Sequence, residues 1–361
     1  MSFLLFFILL NTEYKDTEIF KPISRRLVSI AEDGRVFLFD RDESRVIMYS
    51  ADGSKKGTFG RKGEGPGEFQ IVMGINLVGD KLFVLDFSGT SEFDLNGEFI
   101  KKHTSSKMGN MMYPTKKGWL LQEQGFDMET QTGKMGFKIT DDALKTIIDL
   151  GSYSKKMNMT GFGSGEMSMS VNPSESRPVA ITDQTGDFVV YKSEKDFPIT
   201  VYKVSPDVVK VFEIKMPERK ALPFNETWGE EQLVKMKKMA EQRSQGFSIK
   251  FTSDFPEFFP IVQDVSISPD NKLLVSFWTK SPEKPERLMF NFDGKKVSHS
   301  YTTDTLQRLI QVRGETAVVA SYDEENEEYI LVKMPLSECQ DFIKAHPYTE
   351  DLETEALFMT R

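Results

Sequence analysis

Three histidines, His103, His299 and His346, and one cysteine, Cys339, are the chain's whole supply of imidazole and thiol. The histidines lie far apart in sequence. A single cysteine allows no disulfide within the chain and no CxxC metal or redox motif. Serine catalysis has no better support, because "GFGSGEM" around Ser164 lacks the G-x-S-x-G spacing with a strand before it. The densest run is "GRKGEGPGEF", residues 60–69. A glycine-rich run suggests a phosphate cradle, but this one has no GK[ST] and no helix after it, and Glu64 and Glu68 would repel phosphate. Asp40 and Asp86 each close a strand-like run, "GRVFLFD" and "DKLFVLD". Either could serve as a ligand or base, though aspartate at a strand end more simply caps a turn by accepting backbone N–H groups. "YDEENEEY", residues 322–329, could attract a cation or a basic partner, but it lacks EF-hand spacing and reads as a solvated hairpin.

The elements that must position these residues are strands. Short β-branched and aromatic runs alternate with Gly, Asp, Asn and Ser turns. Residues 26–30, 35–39, 45–50 and 55–59 read as four strands joined by "EDG", "RDES" and "ADGS", one antiparallel meander. Residues 71–77, 81–85, 91–95 and 98–102 repeat the pattern about 46 residues later, so each repeat is one supersecondary unit. Four weaker units follow, with second strands at "KKGWLLQEQ", "GDFVVYKS", "NKLLVSFWT" and "GETAVVASY". The sixth unit supplies three strands, and residues 13–20 are expected to supply its fourth, which would close a ring and remove free sheet edges. The fold class is therefore all-β: a six-bladed β-propeller of four-stranded antiparallel blades. A helix is predicted near residues 226–245, started by Asn225 or Thr227 and stopped by Gly246, inside an insertion over 216–259. Residues 160–178, rich in Gly, Ser and Met, read as a mobile loop.

The chain has 361 residues, with 46 Lys and Arg against 55 Asp and Glu, a formal charge of −9. That balance argues against a general nucleic-acid binder, whose affinity comes from neutralising phosphates. The opening "MSFLLFFILLN" is too short to span a bilayer, which needs roughly 20 apolar residues. It is similar to the apolar stretch of a secretory signal, without the basic start or a small-residue cleavage site. The alternatives are a buried N-terminal strand or a start codon assigned too late. The organisation is thus an apolar segment over 1–12, a propeller over 13–338 and a tail over 339–361. A monomer without a transmembrane span is expected.

"GRKGEGPGEF", followed by a strand and "LFVLD", resembles the joining loop of NHL-repeat β-propellers, and in particular bacterial six-bladed propellers that are often exported. The matching positions are Gly60, Gly63, Gly65, Pro66, Gly67, Glu68 and Phe69. The proline usual after that loop is absent. In such repeats the loop carries the chain from the outer strand of one blade to the inner strand of the next. Glycines allow the bends, proline stiffens the crossing, and Phe69 can plug between blades. Some six-bladed relatives, gluconolactonase-like enzymes among them, hold calcium or another divalent ion on the axis with Glu, Asn and Asp. The resemblance makes Asn76, Asp183 and Asp264 the conceivable ligands here, without a motif to support them. The first candidates for a binding face are residues 160–170 and 225–246, with Phe162 and Trp228 as their aromatic contacts. The leading expectation is a non-catalytic module in the cell envelope that binds a protein or small molecule, without a cofactor. The alternatives are a calcium-type hydrolase or lyase using the axial channel, or an envelope sensor.

Overall fold

In the computed structural model, residues 12–14, 23–105, 110–156, 159–160, 166–215, 219–243, 248–298 and 303–346 are described. Their β-branched and aromatic runs form six four-stranded antiparallel sheets. Each is one blade, and its strands run in order from the axis to the rim. Blade one is Val28–Ile30, Val36–Asp40, Arg45–Tyr49 and Lys55–Phe59. Blades two to five begin at the inner strands Val72–Val78, Met111–Thr115, Val179–Thr182 and Val262–Ile267. Blade six runs Leu309–Arg313, Thr316–Asp323, Glu328–Pro335, and its outermost strand is Thr12–Tyr14 from the opposite end of the chain.

Burial follows from the ring. A blade packs a neighbour on both faces, so its second strand has no wet side. Every residue of Val36–Asp40 and of Leu273–Phe277 is buried. The rim strand Lys55–Phe59 has no buried residue. The apolar core is accordingly a circle of seams. Val36, Leu38, Ile47, Ile310, Val318 and Leu331 fill the seam between blades six and one. Phe37, Phe39, Phe69, Leu82, Val84 and Phe93 fill the next. Tyr14 closes the ring from its strand. It pairs with Leu331 of blade six and meets Tyr49 of blade one edge-on at 5.6 Å. Residues 15–20 of the expected closing strand lie outside the described residues.

The glycine-rich loop makes the crossing from blade one to blade two. Arg61–Lys62 and Glu68–Phe69 pair in parallel and fold it back on itself. Glu68 accepts hydrogen bonds from Gly65 N at 2.8 Å and from Arg61 Nε at 2.7 Å. Its carboxylate thus occupies an amide that a phosphate would need. Phe69 is fully buried between Phe39 and Phe93, at centroid distances of 5.8 and 5.9 Å. At Gly60 (φ 81°) a Cβ would lie 2.1 Å from the Phe69 ring, so only glycine fits.

Two crossings are longer, from blade three to four and from blade four to five. Together they build a satellite layer. Glu166–Val171 lies parallel to Ser248–Ser253, and Met159–Thr160 flanks the pair. Helix Glu226–Arg243 covers this sheet through Leu233 against Val171 and Phe251. The expected mobile loop therefore contains a strand over Glu166–Val171. Its pairing partner lies some eighty residues on, outside the reach of local periodicity. Of the expected tail, Cys339–Ala345 is a helix that packs Cys339 and Ile343 on blade six. No helix among the described residues is long and apolar enough to cross a membrane.

Candidate functional site

The topology assigns every residue to one of two ends. Inner strands start, second strands finish and blade-to-blade crossings run at the same end, here called the crossing end. The inner hairpin turns lie at the other, the turn end. At the crossing end the 3-10 turn Arg25–Leu27 leads into the inner strand of blade one. Lys192 finishes the second strand of blade four. In blade five, Asp264 lies opposite Ser276, and Ser276 opposite Arg287, so the three form one row across the sheet.

Charge brings these groups to a common point. Asp264 acts electrostatically on Arg25, Arg26, Lys192 and Arg287, which belong to blades one, four and five. Their positions at strand starts and finishes place all five at the crossing end. The balance is cationic. Burial lowers the Arg25 guanidinium to about 10; neighbouring Arg26 adds to the fall and Asp264 only partly opposes it. Burial likewise lowers Arg26 against the influence of Tyr113 and Asp264, and lowers Arg287 against Asp264. Burial also depresses Lys192, against Asp196, Asp264 and Glu194. In all four, loss of water outweighs the carboxylates nearby.

The four cations differ in commitment. Lys192 Nζ donates to Ser176 Oγ at 2.8 Å and Ser193 O at 3.1 Å, with Asp196 at 3.9 Å. Asp196 in turn accepts from Ile261 N at 2.6 Å, which ties the two long crossings together. Arg25 is different: its Nη1 is buried and has no hydrogen-bond partner among the described residues. Arg26 is exposed by surface area, yet burial is the main cause of its lowered pKa. Both hold for a side chain that touches solvent on one side while protein crowds it on the others. The close approach of Gly74, where a Cβ would meet Arg26 O at 3.1 Å, sets the inner strand of blade two beside it.

The divalent ion implied by the gluconolactonase-like resemblance does not fit this environment. Among the described residues no three His, Cys, Asp or Glu side chains are grouped to hold a metal. Asp264, a proposed ligand, stands among cations that would repel one. The candidates also fail to converge. Asp183 lies at the turn end, where it accepts from Phe188 N at 2.8 Å and Asn271 Nδ2 at 3.0 Å. Asn76 sits in the half of Val72–Val78 nearer that end, opposite Phe83. Asp40 and Asp86 cap turns. Asp86 accepts from Gln70 N, Ile71 N and Ser88 N, and Asp40 from Asp42 N and Glu43 N.

Trp228 anchors the satellite. It lies 5.1 Å from Trp278 and 5.5 Å from Phe259, ring to ring, while Asn225 Oδ1 caps the helix by accepting from Trp228 N. A small cavity of about 140 Å³ opens beside this cluster, lined by Arg219, Leu222, Ile261 and Trp278 among others. Phe162 lies outside the described residues. The cations were not singled out by sequence. Their one visible signal is "SRRL", two adjacent arginines directly before an apolar strand.

A search of curated proteins gives no match. Solved structures similar to the chain share little sequence. A protein from Bacteroides fragilis NCTC 9343 is 14% identical, with 90% of this chain and 93% of that chain covered and a TM-score of 0.47. Virginiamycin B lyase from Staphylococcus aureus is 11% identical (90% and 88% covered, TM-score 0.40). Regucalcin from Agrobacterium tumefaciens is 9% identical (90% and 93% covered, TM-score 0.36). A family model described as a 6-bladed beta-propeller matches residues 2–253. With most of its length matched and six blades closed into a ring, the chain belongs to the DUF5128 family of 6-bladed beta-propellers.

Proposed function

We propose that this chain is a non-catalytic binding propeller, exported to the cell envelope, whose crossing end takes a ligand bearing an anionic group over the axis. One observation carries the reading: Arg25, Arg26, Lys192 and Arg287 all lie at the crossing end under the electrostatic influence of Asp264, and Arg25 Nη1 is buried without a partner among the described residues. A poorly hydrated guanidinium charge is costly, and an anion held nearby would offset part of that cost through charge alone. The apolar run Phe3–Leu10 supports export. The acidic chain as a whole gives no reason for anions to collect elsewhere.

The test is thermal melting and titration calorimetry with acetate, phosphate and citrate, against choline and Ca²⁺ as cationic controls. A ligand that binds only the native state raises the melting temperature. Stabilisation by anions that weakens with salt and disappears in Arg25→Met supports the reading. Stabilisation by Ca²⁺ alone would overturn it in favour of an axial metal.

A further inference from the structure

The crossing end also carries most of the large apolar side chains that the described surface leaves in water. Ile71, Met73 and Phe87 are 59%, 39% and 43% exposed, and Phe126 and Met128 stand on the blade-three hairpin at 39% and 61%. Exposed apolar residues scattered singly need no explanation, but a contiguous patch does. Ile71 and Phe87 are held side by side, for Phe87 N donates to Ile71 O at 3.0 Å. Asp86 fixes the same backbone by accepting from Gln70 N and Ile71 N. The patch is therefore presented by a pinned turn. Its strand runs beside the turn that carries the arginines, since Met73 precedes Gly74, whose backbone lies against the backbone of Arg26.

We propose that the ligand is a small amphipathic anion, an aliphatic or aromatic carboxylate, with its charged end at Arg25 and Arg26 and its apolar part along Met73, Ile71 and Phe87. This rests on the anion reading above and adds the nature of the rest of the molecule. Charge complementarity selects the anion. One feature selects a small one over an anionic bilayer. The hairpin between Thr316–Asp323 and Glu328–Pro335, at the same end, carries Asp323, Glu324, Glu325 and Glu327, which repel a negatively charged surface.

The experiment is calorimetric titration of the full chain with acetate, hexanoate and octanoate. Octyltrimethylammonium and phosphatidylglycerol vesicles are the controls. The wild type is compared with Arg25→Met and with the double variant Met73→Ser/Phe87→Ser. The double variant alters only exposed side chains, and its melting curve checks that it folds. Each methylene laid on the patch is expected to tighten binding about fourfold, in line with the free energy of burying a CH₂ group. The double variant is expected to lose that chain-length gain and keep wild-type affinity for acetate. Equal affinity for acetate and octanoate, both lost in Arg25→Met, overturns the amphipathic ligand and leaves the anion reading standing. No Arg25-dependent binding of any carboxylate overturns both. Octyltrimethylammonium binding as tightly as octanoate, or vesicles binding where octanoate does not, overturns the proposal.

Discussion

At the turn end, Gln184 accepts from Gln311, donates to Ser268 O, and receives support from Asn271, so blades four, five and six are knitted at one point. Arg313 continues the circle, donating to Ala31 O at 2.9 Å and Ile30 O at 2.8 Å of blade one. At the crossing end, Arg25 keeps a buried nitrogen without a partner among the described residues, and four cations share the influence of Asp264. Both ends are polar and partly buried. One has its hydrogen-bonding capacity used in holding blades to one another. The other carries charge whose loss of hydration is only partly compensated. A fold keeps such a group where something else is to meet it, since functional sites are where stability is given up.

Four measurements break or sharpen this contrast. The largest effect belongs to the turn end. Asp183 is almost fully buried and serves Thr185, Phe188 and Asn271 together. Asp183→Ala leaves those donors stranded, and chemical denaturation should show a loss of about 2–4 kcal/mol. A neutral outcome would mean that the turn end does not hold the ring. Arg25→Met is expected to act in the opposite direction. Removing an under-compensated, partly buried cation should raise stability by about 1 kcal/mol in the absence of ligand. A loss of stability would show that Arg25 is a structural contact.

Glu92 supplies the compensated counterpart, a buried carboxylate paired with Lys81 and with His103 at 2.6 Å. Burial raises its pKa, but the hydrogen bonds from Lys81 and His103 outweigh it, and the net shift is downward. The folded state thus holds the proton more weakly than the unfolded chain. The stabilisation is complete above the ordinary carboxyl range and is lost as pH falls through the lowered value. Glu92→Gln should cost about 1 kcal/mol at pH 7, with the gap from wild type closing in acid. A gap independent of pH would show that the charge contributes nothing. The smallest effect is expected for Phe87→Ser. This exposed side chain should change stability by less than about 0.5 kcal/mol, and a larger loss would mark it as part of the packing.

The contrast between the ends also explains which residues could be read in advance. "GRKGEGPGEF" was legible because its work is local. Gly60 makes room for Phe69 nine positions on, and Glu68 folds back to Gly65 and Arg61. Asp40 and Asp86 were readable as turn caps for the same reason. Asp183 looked equally available as a ligand, because its partner Asn271 is 88 positions away. The strand Glu166–Val171 had no local signal for its pairing with Ser248–Ser253, and its serines and methionines resembled a loop.

The sequence by itself determined the blade. Alternation of apolar and polar residues, turn chemistry every few positions, and a repeat of about 46 residues are properties of neighbours along the chain, and they specify a four-stranded unit and its number. The tertiary structure decided the axis. Arg25, Arg26, Lys192, Asp264 and Arg287 have no shared spacing, and they meet because Thr12–Tyr14 pairs with Glu328–Pro335 and closes the circle. Closing the circle also shuts out much of the water around them, and it is this lost hydration that turns scattered arginines into a charged site.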